Sequence, residues 1–154
     1  MRPFERDAEV ERWTAYLRAN RPEEPGRPVV VVATQCLEVG ADFSFEVLIT
    51  ECASLDALRQ RFGRLARLGA DEPAPAAILV REDDAEGDEP DAVYGRALAE
   101  TWKWLRDQAE QTSDGRLVVD FGVEALETRV RELDVPALQR TLIEQQAILS
   151  TAKA

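Results

Sequence analysis

Apolar positions along this chain follow two different rhythms, and the change from one to the other predicts its elements. Residues 29–34 (VVVVAT) are a mostly β-branched run with no polar alternation. That pattern predicts a strand covered on both faces, as in a parallel α/β sheet. Residues 46–50 (EVLIT) predict a second such strand and residues 76–81 (AAILVR) a third. Between the last two, Leu55, Leu58, Phe62 and Leu65 recur at three- and four-residue intervals. This spacing predicts an amphipathic helix from an N-cap at Ser54 to about Leu68. Asp56 suits its positive end, and Gly69 is its stop. Strand, helix, strand in this order implies a right-handed parallel crossover.

The flanks are more polar. Residues 7–19 predict a helix with Val10, Trp13 and Leu17 on one face. Residues 20–28, with Pro22, Pro25, Gly26 and Pro28, predict a loop. Residues 82–91 (EDDAEGDEPD) read as a solvated acidic loop whose ligand order does not match a calcium loop. Residues 91–111 predict a long helix with Val93, Leu98, Trp102 and Leu105 on one side. Trp102 and Trp104 either pack against the sheet or offer faces for base stacking. Residues 117–119 suit a short edge strand, and residues 123–133 and 136–149 suit helices separated at Pro136. The expected organisation is an α/β domain over 1–112 and a mostly helical extension over 113–154.

Composition narrows the chemistry. A chain of 154 residues supports one domain with a real core. Apolar residues at 45% and charged residues at 32% describe a globular rather than a disordered chain. The net charge of −11 argues against tight duplex binding by this chain alone. The charge is uneven, however: Arg59, Arg61, Arg64 and Arg67 fall within nine residues. Local field, not net charge, governs a phosphate site. Zero histidines exclude a histidine general base, a histidine-containing triad and histidine-ligated zinc. Cys36 and Cys52 form neither a disulfide framework nor a metal spacing, and both read as small buried packers. No metal site is expected. No apolar run approaches the ~18 residues of a membrane span. The first thirteen residues, MRPFERDAEVERW, lack the apolar core of a signal peptide, so a cytoplasmic location is expected.

The chemistry-bearing stretch is 29–68. On the predicted helix, Gln60, Arg64 and Arg67 share one polar face, opposite Leu58, Phe62 and Leu65. Gly63 would cost that helix about 1 kcal/mol relative to alanine, which close approach of another backbone or of a ligand would offset. A loop carrying Thr34, Gly40 and Asp42 follows the first strand, where α/β sheets bind ligands. Two arginines beside a glycine-bearing loop suit a γ-phosphate. Spacing alone also describes a solvated arginine face, a Thr34 that ends a strand and an Asp42 that caps a turn.

The letters add a resemblance. VATQCLEVGAD (residues 32–42) looks like motif V, and QRFGRLAR (residues 60–67) like motif VI, of the second RecA-like motor lobe of superfamily two helicases. The pair is most similar to the signature of the CRISPR-associated helicase–nuclease of type I systems, an ATQ-x-LE-x-G-x-D segment followed by a QR-x-GR-x-x-R helix. MRPFERD resembles a stretch just upstream of motif V, and YGRALAETW (residues 94–102) the helix after the lobe's last strand. The resemblance covers roughly residues 1–125. It implies a partial RecA-like (P-loop NTPase-type) parallel sheet flanked by helices. It also implies roles. Thr34 matches the threonine that touches the nucleic-acid backbone. Gly40 and Asp42 match positions near the ribose and γ-phosphate of ATP, and Gln60 a glutamine that positions the nucleotide. Arg64 and Arg67 match the arginine fingers. Many members of the wider superfamily carry glycine immediately before the last arginine, where this chain has Ala66.

The resemblance also says what to look for elsewhere. These 154 residues contain no G-x-x-x-x-G-K-[ST] phosphate loop and, without histidine, no histidine–aspartate nuclease site. The expected reading is therefore part of a second lobe that shares ATP with a first motor lobe. Mg²⁺ and single-stranded DNA would belong to the complete motor, and the isolated chain would be inactive. The alternative expectation is a non-catalytic remnant or binding module that docks onto CRISPR effector proteins or another motor lobe.

Overall fold

The computed structural model describes residues 13–14, 16–21, 26–34, 42–69, 73–86 and 90–131. Its elements are β1 (Leu48–Glu51), α1 (Leu55–Phe62), β2 (Ala76–Leu79), α2 (Glu82–Glu86), α3 (Ala97–Gln108), β3 (Glu110–Gln111), β4 (Leu117–Val118) and α4 (Val123–Arg131). The chain divides into two compact units, Met1–Thr50 with Gln60–Ala77 and Glu51–Arg59 with Ile78–Ala154.

The strand–helix–strand reading holds. β1 and β2 are neighbours in a two-stranded sheet. Leu48 N–H donates to the Pro75 carbonyl at 3.2 Å and Cys52 N–H to that of Leu79 at 2.6 Å, so the strands advance together and are parallel. α1 starts where expected, with the Ser54 carbonyl accepting from Leu58 N–H at 3.0 Å. Leu58 is wholly buried, as its place in the apolar repeat requires.

Three expectations are corrected. Residues 29–34 form neither strand nor bridge, and Val30 and Val32 are 85% and 93% exposed. Their β-branched side chains favour extended backbone, but a strand also needs a neighbour to take its hydrogen bonds. The acidic segment after β2 opens with the helical turn α2 rather than a loop. Arg81 grips Asp84 with both a 2.8 Å and a 3.0 Å bond, while its carbonyl accepts from Asp84 and Ala85 N–H. Acidic residues at a helix start are favoured by its dipole. The long helix begins at Ala97, not 91. The Asp91 carboxylate accepts from Val93 and Tyr94 N–H at 2.8 and 2.7 Å, and Gly95 has φ +56°, which no right-handed helix admits.

Within the second unit, α2 packs against α3. Leu98, Thr101 and Leu105 on α3 are buried, whereas Val93 is exposed and Trp102 and Trp104 are half-buried. Cys52 is a buried free thiol, and Cys36 lies outside the described residues. β4 pairs antiparallel with β3, with Glu110 opposite Val118 and Gln111 opposite Leu117. The helix expected over 123–133 is α4, and the one expected over 136–149 lies outside the described residues. Among the described residues no helix is long and apolar enough to cross a membrane.

The Arg81 clamp yields a titration prediction. Its hydrogen bonds hold the Asp84 carboxyl below the usual carboxylate range. The contribution of this pair to α2 is fully present above the ordinary aspartate pKa of about 3.9 and is lost as pH falls through the lowered folded value. A carbon-detected NMR titration should show Asp84 protonating below the ordinary aspartate value of about 3.9, and Arg81→Gln should raise its midpoint towards that value. An ordinary midpoint in the unmodified chain would contradict the clamp.

Candidate functional site: an arginine turn bridged to the Asp42 segment

The segment from Asp42 to Glu46 reads DFSFE, a polar–apolar alternation. Such a period predicts a half-buried strand, and here it builds a bridge with two neighbours. On one side it meets the end of the N-terminal helical residues antiparallel, through an Arg18–Phe43 bridge. Ala19 N–H donates to the Asp42 carbonyl and Ser44 N–H to the Leu17 carbonyl, both at 3.0 Å. On the other side it meets the arginine segment in parallel, through a Phe45–Leu65 bridge. Phe45 N–H donates to the Arg64 carbonyl at 2.9 Å, and Ala66 N–H to the Phe45 carbonyl at 2.8 Å. Phe43 is buried, and its ring meets that of Phe45 edge-on at 6.3 Å.

This bridge overturns the single helical stripe expected for Gln60, Arg64 and Arg67. α1 ends at Phe62. Arg64 and Leu65 N–H turn back onto the carbonyls of Arg61 (3.1 Å) and Phe62 (2.9 Å). Phe45 then takes the Arg64 carbonyl and the Ala66 N–H, and Ala66 adopts φ +45°. Gly63 therefore lies in a turn, where its helix penalty does not arise.

Ala66 occupies the left-handed region that costs an L-residue about 1–2 kcal/mol. Ala66→Gly should raise stability by about 0.5–1 kcal/mol, after the extra chain entropy of glycine is subtracted. A urea midpoint that falls instead would contradict the conformation.

Asp42 and Arg67 come together. Arg67 Nη1 lies 3.2 Å from Asp42 Oδ1, with side chains 45% and 64% exposed. Arg67 N–H also donates to Ser44 Oγ at 3.2 Å. Arg64 is half-buried in the same turn, and Gln60 is exposed on α1. Thr34 is exposed and belongs to none of the bridged segments, while Gly40 lies outside the described residues. The resemblance leads one to expect no acidic D-E-x-[DHN] Mg²⁺ motif in this chain, yet the letters DEPD at 88–91 formally match one. They follow α2 rather than the carboxyl end of a strand, and residues 87–89 lie outside the described residues. Among the described residues no cluster of three acidic or sulfur ligands is placed to hold a metal ion.

Sequence reasoning misses the pairs that support this site. Arg21, its side chain 14% exposed, donates to the Ser44 carbonyl at 3.4 Å and pairs with the Glu46 carboxylate. Arg61 donates to Thr50 Oγ1 at 2.7 Å, tying the end of α1 to β1. The DFSFE alternation is the one signal available for the bridge. Nothing local marks which carboxylate or hydroxyl each arginine finds.

A parallel strand–helix–strand unit, whose helix runs into an arginine-bearing turn before the second strand, is consistent with a partial RecA-like lobe. Residues 1–70 match the family described as CRISPR-associated nuclease/helicase Cas3, C-terminal. The chain is 51% identical over 57 residues to the CRISPR-associated helicase Cas3 of Thermoproteus tenax, covering 36% of this chain and 10% of that protein. It is 33% identical over 115 residues to the CRISPR-associated endonuclease/helicase Cas3 of Thermus thermophilus, covering 70% of this chain and 12% of that protein. No solved structure matches. The chain is similar to a C-terminal segment of Cas3-type helicases, and it spans about a tenth of the length of these two relatives.

Proposed function

We propose that this chain supplies the arginine-bearing side of an ATP site in the DNA-translocating motor of a type I CRISPR antiviral system. The phosphate loop and Mg²⁺ ligands would come from a first motor lobe. The observation that carries this reading is the bridge between the Asp42 segment and the Arg64–Arg67 turn. Asp42, the last residue of the motif V look-alike, is paired with Arg67 of the motif VI look-alike, which supports this reading. Arg67, half-exposed, is accessible to a phosphate oxygen. The residues present thus fit the γ-phosphate end of ATP, and none of the phosphate-loop pattern is there to hold the β-phosphate. Arg64 and Arg67 would stabilise charge on the transferring phosphoryl group, Gln60 would position the nucleotide, Asp42 would lie near its ribose and γ-phosphate, and exposed Thr34 would meet the single-stranded DNA backbone. Mixing the full chain with a phosphate-loop lobe tests this. ATPase activity should appear only in the mixture, should respond to single-stranded DNA, and should depend on both arginines. Turnover by the purified chain alone would overturn the reading.

One observation favours a second reading, a docking module without catalytic contribution. The apolar run at 29–32 belongs to no strand among the described residues and is exposed at Val30 and Val32. Such backbone can add to an open sheet edge of another polypeptide. Capture of a motor lobe or effector protein without ATPase rescue would support it.

A further inference from the structure

We propose that Asp42 is the built-in counter-ion of Arg67, an internal stand-in for a phosphate oxyanion that an incoming polyphosphate displaces. The inference rests on the arginine-finger reading and adds to it a resting state and an exchange.

The geometry separates what is fixed from what can move. The backbone of the arginine turn is held by Phe45 at the Arg64 carbonyl and at the Ala66 N–H, and by Ser44 Oγ at the Arg67 N–H. None of these bonds involves the Arg67 guanidinium. Breaking the 3.2 Å contact with Asp42 therefore releases the side chain and leaves its base in place. The Asp42 end is fixed too, since its carbonyl accepts from Ala19 N–H. The result is a rotamer change on a rigid platform, not a rearrangement of the fold.

Magnitudes decide the direction of exchange. Both partners are about half-exposed, and exposed ion pairs contribute little because water and salt already screen them. A polyphosphate offers the guanidinium fork two oxygens and more than one negative charge, which is the stronger arrangement. Asp42 is thus strong enough to park the side chain and too weak to withhold it. Bringing a carboxylate and a phosphate to the same guanidinium also sets like charges together, so binding and pairing exclude each other.

The test uses the full chain and inorganic tripolyphosphate at low ionic strength, measured by calorimetry. Glu46→Gln is the control, because Glu46 lies on the same segment and pairs with a different arginine, Arg21. Asp42→Asn should tighten binding by about 1.5- to 5-fold, the ~0.2–1 kcal/mol of an exposed pair converted at RT of about 0.59 kcal/mol. Glu46→Gln should tighten it less, and Arg67→Ala should abolish it. The Arg67 Nε–H signal should shift in ligand-free Asp42→Asn, and in the unmodified chain on addition of tripolyphosphate. Equal tightening by Asp42→Asn and Glu46→Gln would overturn the exchange, because net charge alone would explain it. Weaker binding by Asp42→Asn, or no binding by any variant, would overturn it as well. The finger reading is judged separately, by whether reconstituted ATPase depends on Arg67, so either idea can fail while the other stands.

Discussion

Arg67→Ala should lower the ATPase turnover of the reconstituted motor by about 10³- to 10⁵-fold, and Arg64→Ala should be comparably severe. An arginine finger acts on charge that develops only as the phosphoryl group transfers, so its loss appears in turnover more than in nucleotide binding. Arg67→Lys should rescue little, because an ammonium cannot reproduce the planar two-pronged donation of a guanidinium. The structure makes the Arg67 variant a clean one. The turn is held by main-chain bonds to Phe45 and by Ser44 Oγ, so removing the Arg67 side chain leaves its scaffold intact. What the truncation breaks is the half-exposed ion pair with Asp42. Stability should therefore move by no more than about 0.5 kcal/mol, as expected of a surface substitution. Steady-state turnover with saturating ATP, together with a thermal melt of the same sample, reads both quantities. Full turnover in Arg67→Ala would remove the functional reading, whereas lost turnover with an unaltered melt would support it.

Leu58→Ala should produce the largest loss of stability, about 2–5 kcal/mol. Leu58 is fully buried on α1, and the cost combines lost transfer free energy with the cavity left behind. For a chain of this size the melting temperature should fall by about 4–20 °C, at roughly 2–4 °C per kcal/mol. That is a large part of the 5–15 kcal/mol, roughly, that ordinarily holds a domain folded. Gln60→Ala, two positions along the same helix but exposed, should change stability by less than about 0.5 kcal/mol. The comparison matters because helix propensity treats both substitutions as mild. A Leu58→Ala melt that moved no further than the Gln60→Ala melt would mean that α1 is not packed through this face.

The legible part of the fold was the part encoded by short-range repetition. Residues 46–50 and 76–81 located β1 and β2, and the repeat through Leu58 located α1, each within a few residues of its start. The same reasoning misplaced the end of α1, because periodicity through Leu65 continues after the helix has stopped. Leu65 lies in the backbone bridge to Phe45 instead of completing another helical turn. It also placed a strand at 29–34, where the side chains are suited to a sheet but no ladder forms. At the candidate site, the residue types were readable from their letters. The contact between them was not.

What the sequence determined by itself was therefore local. Unbroken apolar runs and a three- to four-residue repeat are properties of consecutive side chains, and they specified a parallel strand–helix–strand unit, a wholly buried Leu58 and an arginine cluster just beyond. Tertiary structure decided that Arg67 rests on Asp42, twenty-five positions earlier, and that Ala66 takes a left-handed backbone. Those outcomes depend on which strand arrives beside the turn and claims its carbonyl and N–H groups. Hydrogen-bond partners across such a distance follow from chain closure, which no local spacing records.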